Sequence, residues 1–521
     1  MRTKRWFSGA ALLALMTVLT TACSTTAEDL AGATGDIPGP TTEPSEEGVR
    51  DSKAAGEEKG ASPAAEPRGT EDWRVTRPAA GRISAYTSAI SAVPGTRVGV
   101  YVSTLAAGYR VSAYRIGSYP GGTGTLVWRS RFLDGKRQAS AVLDPVETRT
   151  VVAPWRRSLT LDTTGWDPGF YVIGLRTGSG WETAVPYVVR SPSARGTVAL
   201  VAPVTTWQAY NEWGGHSLYA GPAGDRRSWA VSFDRPFNLA TGANDYRTAA
   251  IPVIVRAERL GIPLSYYANT DLDEDTSVLE GARGYVSMGH DEYWTPTMRR
   301  EVESARDAGT NLAFLGANTM YWRVRLDRRT MTGYRHDAYQ DPWRETRPAE
   351  ATSRFRDEPK AEPEHSLVGM QYECYPVDAD YRVVSPRWWG FRGTAVSQGD
   401  VFGHLVGPES DRVYPDARSP RPLQVLSHSA FLCRGVQTTT QSVYYTTTSG
   451  AGVFAAGTLR WGCALVDRCE GPLDERTSRF VHRVTENLLR EFVKGPVGTR
   501  WPAVHNVDRF DLPVVNNVEA S

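Results

Sequence analysis

The hexapeptide GHDEYW at residues 289–294 combines a histidine, two acidic residues and a tyrosine. His290 and Glu292 have the side chains of a general acid–base pair. Tyr293 and the neighbouring carboxylates are hard oxygen donors that could bind a metal ion. A structural interpretation is also open, in which Tyr293 and Trp294 pack beneath a helix while the acidic residues face solvent near its N-terminus. The hexapeptide alone does not decide between these interpretations.

The hexapeptide lies between a predicted buried strand, GYVSM at 284–288, and a predicted helix. Thr295 can cap that helix, with Pro296 at its first position. Unbroken apolar runs at 197–203 and 311–316 predict further strands that are buried on both faces. Additional predicted helices cover 252–260 and 474–493, and additional predicted strands cover 263–268, 366–372, 422–428, 442–450 and 451–458. The alternation of strands and helices predicts a parallel α/β sheet.

Polar and aromatic loops follow four of the predicted strands. In an open parallel sheet, ligands bind beyond the carboxyl ends of the strands. We therefore expect the four loops to form one crevice and to include residues that contact a substrate. The loops are 205–215, 268–275, 289–294 and 316–322, and the substrate-binding candidates are Trp207, Tyr210, Asn211 and Asn318.

The chain before Gly196 has a different pattern, in which apolar and polar residues alternate and turn sequences recur. Regularly spaced short strands predict an immunoglobulin-like β-sandwich. The predicted fold class is therefore all-β plus α/β. A β-sandwich precedes an α/β domain whose mostly parallel sheet resembles the class I glutamine amidotransferase-like fold. The predicted segments are a lipoprotein signal peptide (1–23), a disordered tether (24–75), the β-sandwich (76–192), the α/β domain (193–495) and a C-terminal tail (496–521).

The N-terminus has the features of a bacterial export signal. A lysine and two arginines precede an apolar run at 10–19 that is too short to span a bilayer. Small residues then precede Cys23, the expected lipidation site. We expect an exported protein, lipid-anchored to the outer face of the bacterial cell membrane and contacting the membrane only through that lipid. An ordinary secreted protein is the alternative.

Composition narrows the function classes further. Basic and acidic side chains nearly cancel, 59 against 58, which argues against nucleic acid as a partner. Export places the four remaining cysteines in an oxidising compartment, where three pairings are open to them. The short spacing favours Cys463 with Cys469, which leaves Cys374 with Cys433. No G-x-S-x-G motif occupies the strand-to-helix turn, and this weighs against an α/β-hydrolase.

Five motifs together resemble the large (β) subunit of N,N-dimethylformamidase and its relatives. The resemblance covers most of the chain from about residue 80 to 495 and is specific for the family, but less so for the activity. The motifs are, in chain order, TWQAYNEWGGHSLY (206–219), GHDEYW (289–294), GANTMYWRV (316–324), VGPESDR (406–412) and GAGVFAAGT (450–458).

The resemblance implies a mononuclear iron held by two tyrosines and one glutamate. Matched by motif, the tyrosines are Tyr293 and Tyr321, and the glutamate is Glu409 with Glu373 as the alternative. Such an ion would polarise an amide carbonyl and lower the pKa of bound water. The resemblance also implies a small partner subunit, and a homo-oligomer is the alternative to it.

His290 and Glu292 are expected to be the catalytic residues because they are nearest in sequence to the expected ligands. Alternatively, both residues stabilise the strand-to-helix turn. The expected function is that of an exported, lipid-anchored hydrolase that cleaves the C–N bond of a small amide. One alternative is a non-catalytic lipoprotein that binds a glycan or another cell-envelope ligand through a degenerate site. A cell-envelope scaffold with a catalytic relic is the third hypothesis.

Overall fold

The computed structural model describes residues 67–79, 81–222, 226–239, 245–466, 473–514 and 518. The predicted signal peptide, Cys23, Cys469 and most of the predicted tether lie outside these residues. The fold is mixed α/β and rich in strands. Among the described residues, no helix is both long enough and apolar enough to cross a membrane.

The described chain begins with a region of strands. They are β1 (Ile83–Thr87), β2 (Ser91–Ala92), β3 (Arg97–Thr104), β4 (Gly108–Tyr119), β5 (Gly122–Arg129), β6 (Leu133–Asp134), β7 (Val142–Leu143), β8 (Val151–Val152), β9 (Leu159–Asp162), β10 (Gly169–Thr177) and β11 (Glu182–Val189). One sheet has the order β1-β3-β9, and a larger one has the order β2-β11-β10-β4-β5 with β6 beside β4. Val100, Val111 and Ile173 are fully buried in the core that these two sheets share.

The rest of the chain alternates strands with helices. The strands are β12 (Val198–Ala202), β13 (Ala230–Ser232), β14 (Leu264–Ala268), β15 (Gly284–Ser287), β16 (Tyr293–Trp294), β17 (Asn311–Phe314), β18 (Trp322–Arg323), β19 (Arg325–Asp327), β20 (Thr330–Thr332), β21 (Gln371–Cys374), β22 (Ala379–Arg382), β23 (Val401–Val406), β24 (Ser410–Arg412), β25 (Leu423–Cys433), β26 (Val436–Thr446) and β27 (Gly452–Ala455). The α-helices are α1 (Val204–Ala209), α2 (Ile251–Glu258), α3 (Asp271–Glu274), α4 (Pro296–Asp307), α5 (His365–Val368), α6 (Arg460–Cys463) and α7 (Glu475–Phe492).

A seven-stranded sheet with the order β14-β12-β15-β17-β27-β26-β25 forms the centre of this part. The first five strands are parallel, whereas β26 is antiparallel to both of its neighbours. Alternate residues of β12 contribute to different cores, Leu200 to one and Val201 to the other. Helices α2 and α7 cover the first face and α4 covers the second. Burial on both faces explains the unbroken apolar runs.

The larger N-terminal sheet packs against helix α2 and strand β14. The Arg115 guanidinium on β4 pairs with the Glu258 carboxylate at the end of α2, with Nη1 and Oε1 2.9 Å apart. Tyr266 of β14 donates a hydrogen bond to the same oxygen at 2.6 Å. Phe170 of β10 contacts Trp207 of α1 edge-on. The strand-rich region thus shares part of its core with the α/β part.

Helix α4 follows the sequence prediction because its signals are local. The Thr295 hydroxyl accepts a hydrogen bond from Met298 N at 3.1 Å, and Pro296 opens the helix. By contrast, the predicted strand at 366–372 is wrong in its first half, where α5 forms instead. Gly369, with φ of 86°, ends that helix before β21 begins. A short apolar run does not distinguish a helix from a strand.

Packed residues also lie in two predicted segments outside the domains. Thr70 pairs with Gly124 of β5 and Trp73 is 2% exposed, so the ordered chain starts before the tether boundary predicted at residue 75. The predicted C-terminal tail contains packed residues, because Val497 is fully buried and the Asn506 side chain accepts a hydrogen bond from Val425 N at 2.7 Å. The immunoglobulin-like and glutamine amidotransferase-like assignments stay predictions.

Candidate active site

The loops that follow β15 and β17 are in direct backbone contact. A Cβ atom on Gly316 would lie 2.2 Å from the carbonyl oxygen of Gly289, so the approach requires glycine. Beyond this contact β16 and β18 pair in parallel. The backbone N–H of Trp322 donates to the carbonyl of Glu292 at 2.9 Å. These bonds hold the GHDEYW and GANTMYW motifs side by side at the carboxyl ends of their strands.

The other two strand-end loops join the same region. On α1, the Thr206 hydroxyl accepts a hydrogen bond from Glu292 N at 2.9 Å, and the Thr205 hydroxyl donates to the carbonyl of Tyr293 at 2.7 Å. After β14, the Asn269 amide donates to the Thr205 hydroxyl at 2.6 Å and to the Asp291 carboxylate at 3.3 Å. All four loops predicted to form a crevice therefore meet.

A cavity of about 1170 Å³ opens next to these loops. Its lining combines residues from motifs that are far apart in sequence. The residues expected from sequence that line it are Tyr210, His290, Glu292, Asn318, Tyr321, Glu373 and Glu409. The Asn318 carboxamide oxygen is buried and has no hydrogen-bond partner among the described residues, which leaves it available to a ligand.

His290 lies among three carboxylates. Its Nε2 atom is 3.4 Å from Glu409 Oε2 and 3.5 Å from Glu292 Oε2, and its Nδ1 atom is 3.8 Å from Asp245 Oδ2. Burial opposes the charged imidazolium, but Glu409, Asp245 and Glu292 outweigh it and raise the pKa of His290 well above its usual value. Within the described chain, neither His290 Nε2 nor Glu409 Oε2 has a hydrogen-bond partner.

A chain of phenols surrounds the Glu292 carboxylate. Tyr210 donates to Glu292 Oε2 at 2.7 Å, and the Tyr219 hydroxyl lies 2.8 Å from the same oxygen. Tyr293 donates to the Tyr219 hydroxyl at 2.7 Å. Burial raises the pKa values of Glu292 and of all three tyrosines. Glu292 is therefore held in place by the tyrosines while its carboxylate faces the histidine.

Arg335 brings a buried positive charge to this network. Its guanidinium carbon lies 3.8 Å from the centre of the Tyr219 ring. Burial disfavours the charged guanidinium, but Tyr293, Tyr219 and Glu292 outweigh it and raise the pKa of Arg335. Arg335 has a φ of 59°, a conformation that non-glycine residues adopt when the surroundings enforce it. The loop that follows β20 thus contributes a cation to the site.

Comparison with known protein families identifies the family of the chain. Residues 110–471, more than half of the chain, match the model of the family described as N,N-dimethylformamidase beta subunit-like, C-terminal. The chain belongs to the N,N-dimethylformamidase beta subunit-like family. The match begins within β4 and includes the four loops, Tyr293, Tyr321 and Glu409. No curated protein matches the chain.

The two glutamates considered as the third iron ligand of this N,N-dimethylformamidase-like chain differ in their surroundings. Glu373 is 1% exposed and lies 3.0 Å from Arg412, measured from Oε2 to Nε. Tyr414 and Thr438 also donate to its carboxylate oxygens. Glu373 is thus occupied by a structural ion pair with hydrogen bonds, whereas the Glu409 oxygen in the cavity is paired with His290 and accepts no hydrogen bond from the described residues.

The site fits an iron ion in the chemistry of its donors. Tyr321 and Glu409 line the cavity and offer a phenol and a carboxylate, which are hard oxygen donors. Tyr293 has such a donor as well, but its hydroxyl is engaged by Tyr219 and would have to give up that hydrogen bond. Among the described residues, no group of three or more His, Cys, Asp or Glu side chains is arranged to hold a metal ion.

Two of the predicted substrate-binding residues lie away from the cavity lining. Trp207 is fully buried and packs edge-on against Phe170 and Tyr246 in the core. Asn211 is fully buried, donates to the carbonyl of Pro236 at 2.9 Å and accepts from Asn238 N at 2.9 Å. Burial in the core removes the large apolar surface of the Trp207 indole from water. The Asn211 side chain is used for hydrogen bonds to the backbone of the loop at 236–238. Neither is therefore kept as a substrate contact.

Tyr219 and Arg335 are site residues that the sequence did not single out. Tyr219 ends the first family motif, so its position there was the available signal. Arg335 lies in a loop without periodicity, and no local pattern indicates that its side chain turns inward.

The disulfide bond between Cys374 and Cys433 lies at the edge of the cavity, which Cys374 lines. This is the pairing that the sequence leaves for these two cysteines. Cys463 is also disulfide-bonded. Its predicted partner, Cys469, lies outside the described residues.

Proposed function

We propose that this chain is a hydrolase that cleaves the C–N bond of an amide, with a mononuclear iron as its cofactor. The observation that carries the proposal is the pairing of His290 with Glu409. Two buried polar atoms without hydrogen-bond partners face each other in a large cavity of an N,N-dimethylformamidase-like chain. The glycan-binding alternative is not favoured.

An amide nitrogen leaves only when it is protonated, so the reaction needs a proton donor beside the leaving group. His290 is suited to that role because carboxylates on both sides stabilise its imidazolium form. Glu292 orients and stabilises His290 rather than the substrate, since Tyr210 and Tyr219 already donate to its oxygens. Asn318 Oδ1 is the acceptor proposed for a substrate N–H or a water molecule.

Tyr321, Glu409 and Tyr293 are the residues proposed to hold the iron. When bound, the ion would supply Lewis-acid polarisation of the amide carbonyl. Arg335 counterbalances the negative charge of Glu292 and of any phenolate at Tyr219 or Tyr293. Tyr210 and Tyr219 hold Glu292 in place before substrate binds, which lowers the reorganisation that the reaction needs.

The proposal is tested by measuring metal content and formamide hydrolysis in protein expressed with iron. The wild type is expected to contain iron and to release the amine from small formamides. His290→Gln is expected to lower kcat by about 10²–10⁴-fold, the usual contribution of a proton donor. His428→Gln is the matched control, because that histidine does not line the cavity. Full turnover by His290→Gln, or an iron-free and inactive wild type, would overturn the proposal.

Export and lipidation at Cys23 belong to the same proposal, with the chain placed at the outer face of the bacterial cell membrane. The Cys374–Cys433 disulfide supports an oxidising compartment. Cys23→Ser should move the protein from the membrane fraction to the soluble fraction, and retention in the membrane fraction would argue against the anchor. We also propose a small partner subunit or a homo-oligomer, which light scattering of the purified protein distinguishes from a monomer.

A further inference from the structure

The cavity is much larger than a small amide requires. Pockets of about 300–1,000 Å³ hold drug-sized ligands. The volume of about 1170 Å³ exceeds that range. A substrate with only a few atoms would leave most of this space to solvent, and little of its binding energy would come from contacts outside the reacting group. The size of the cavity therefore favours a substrate that extends away from His290.

Besides Arg335, which stacks on Tyr219 close to Glu292, two arginines line the cavity without carboxylate partners in the described chain. Among the described residues, neither Arg344 nor Arg434 has a carboxylate within ion-pair distance, whereas Arg354 in the same lining is paired with Asp357 at 2.9 Å. Arg434 uses its Nε atom to bind the carbonyl of Tyr375 at 3.0 Å. Its terminal nitrogens are thus left for another acceptor.

The protein holds both arginines on anchored segments. Arg434 and Gly435 have φ values of 48° and 86°, which form the two-residue turn between β25 and β26. The adjacent Cys433 is bound to Cys374. The loop of Arg344 is tied down by the buried Asp341 carboxylate, which accepts from Thr352 N at 2.7 Å.

We propose that the cavity takes an amide that also carries an oxyanion, a carboxylate or a phosphate-type group, which Arg344 and Arg434 bind while the amide lies beside His290. A guanidinium presents paired donors that match either oxyanion. Three carboxylates already surround His290, and Arg335 is engaged by the phenol network, so Arg344 and Arg434 are the cations left for a further anion. The substrate would then lie with its amide beside His290 and its oxyanion at the two arginines. The inference rests on the proposed amidase function for the amide end alone.

The test compares three probes that share a benzamide group, by titration calorimetry with the full iron-loaded protein. N-benzoylglycine carries a carboxylate, (benzoylamino)methylphosphonate carries a phosphonate, and N-ethylbenzamide is neutral. The wild type is expected to bind at least one anionic probe about tenfold or more tightly than the neutral one, since hydrogen bonds between charged groups are the stronger kind. The tighter anionic probe identifies the oxyanion.

The double variant Arg344→Gln/Arg434→Gln should bind all three probes with similar affinity. Arg347→Gln is the matched control, an exposed arginine on the same loop that does not line the cavity, and it should keep the wild-type preference. Equal binding of charged and neutral probes by the wild type, no binding of any probe, or an unchanged preference in the double variant would each overturn the inference.

Hydrolysis of the three probes is measured separately from binding. The amidase proposal and the oxyanion-site proposal can then be refuted independently of each other. Water supplies a hydroxyl group to the benzoyl carbon and a proton to the leaving nitrogen, so N-benzoylglycine would give benzoate and glycine. An anionic preference without cleavage supports the anion site and counts against the amidase proposal. Cleavage of the neutral and anionic probes with equal kcat/KM supports the amidase proposal and overturns the anion site.

Discussion

His290 Nε2 lies 3.4 Å from Glu409 Oε2, and among the described residues neither atom has a hydrogen-bond partner. The first residue follows β15 and the second precedes β24. The two side chains form an ion pair without a hydrogen bond between them. Each atom therefore keeps hydrogen-bonding capacity for a group that binds in the cavity, as expected of a site built for a ligand.

Glu409→Gln tests this relationship, because it keeps the shape of the side chain but removes the charge that faces His290. We expect formamide hydrolysis to fall about 100-fold or more, because the variant loses a proposed iron ligand and the charge that stabilises the imidazolium of His290, the proposed proton donor. Iron content should fall with it, while the melting temperature stays close to that of the wild type. Activity and iron content that both match the wild type would remove Glu409 from the site.

Glu373→Gln should affect stability more than chemistry. Glu373 and Arg412 form a buried ion pair, each side chain about 1% exposed. Removing one partner of a buried pair leaves the other charge uncompensated, at a cost of about 3–5 kcal/mol. Chemical denaturation should show a loss of this size, and the surviving folded fraction should retain iron. Loss of iron without loss of stability would instead make Glu373 the third ligand.

Tyr293→Phe and Tyr321→Phe remove one hydroxyl each and keep the ring. If both hydroxyls bind iron, the iron-replete wild type should be coloured by phenolate-to-iron charge transfer. Each variant should then lose absorbance and iron content. Tyr187→Phe is the control, a buried tyrosine of β11 whose hydroxyl has no hydrogen-bond partner in the described chain. A visible spectrum that survives both site substitutions would exclude the tyrosines as ligands.

The stability of the wild type should depend on pH through His365. Burial lowers the pKa of His365 below 6.5. The hydrogen bond between its Nε2 atom and Asp416, at 2.7 Å, raises the pKa but does not offset burial. The Asp416 carboxylate has a pKa of about 2, because its bonds to His365 and Arg418 outweigh partial burial, so it stays charged. Since the unfolded chain binds a proton at His365 that the folded chain excludes, stability is lost as pH falls below 6.5.

His365→Gln isolates that contribution. At pH 7.5 the variant should be less stable than the wild type by about 1 kcal/mol, for a lost hydrogen bond. At pH 5 the difference should shrink, because only the wild type loses unfolding free energy by keeping a buried imidazole neutral. Denaturation at both pH values measures the two differences, with His404→Gln, an exposed histidine beside Asp378, as the control. A difference that grows as the pH falls would contradict the sign of this effect.

The sequence predicts this site to the extent that its signals are local or repeated. Thr295 and Pro296 specify the start of α4, and strand ends followed by polar loops indicate where a crevice forms. The phenol network needs contacts between residues that are far apart, such as Tyr219 with Tyr293, and no spacing encodes them. Trp207 illustrates the opposite error, since an aromatic residue in a functional motif packs in the core.

The Cys374–Cys433 disulfide should stabilise both the fold and the edge of the cavity. The two cysteines are separated by 59 residues, and closing a loop of that length in the unfolded chain corresponds to about 4 kcal/mol. Cys374→Ser/Cys433→Ser should therefore lower the free energy of unfolding by up to about 4 kcal/mol. The double variant should also weaken binding of the oxyanion probes, because the Arg434 turn loses its link to Cys374. Denaturation measures the change in stability, and calorimetry measures the change in probe affinity, each relative to the wild type. Unchanged stability would show that the bond adds nothing to the fold, and unchanged probe affinity would show that the hairpin turn alone positions Arg434.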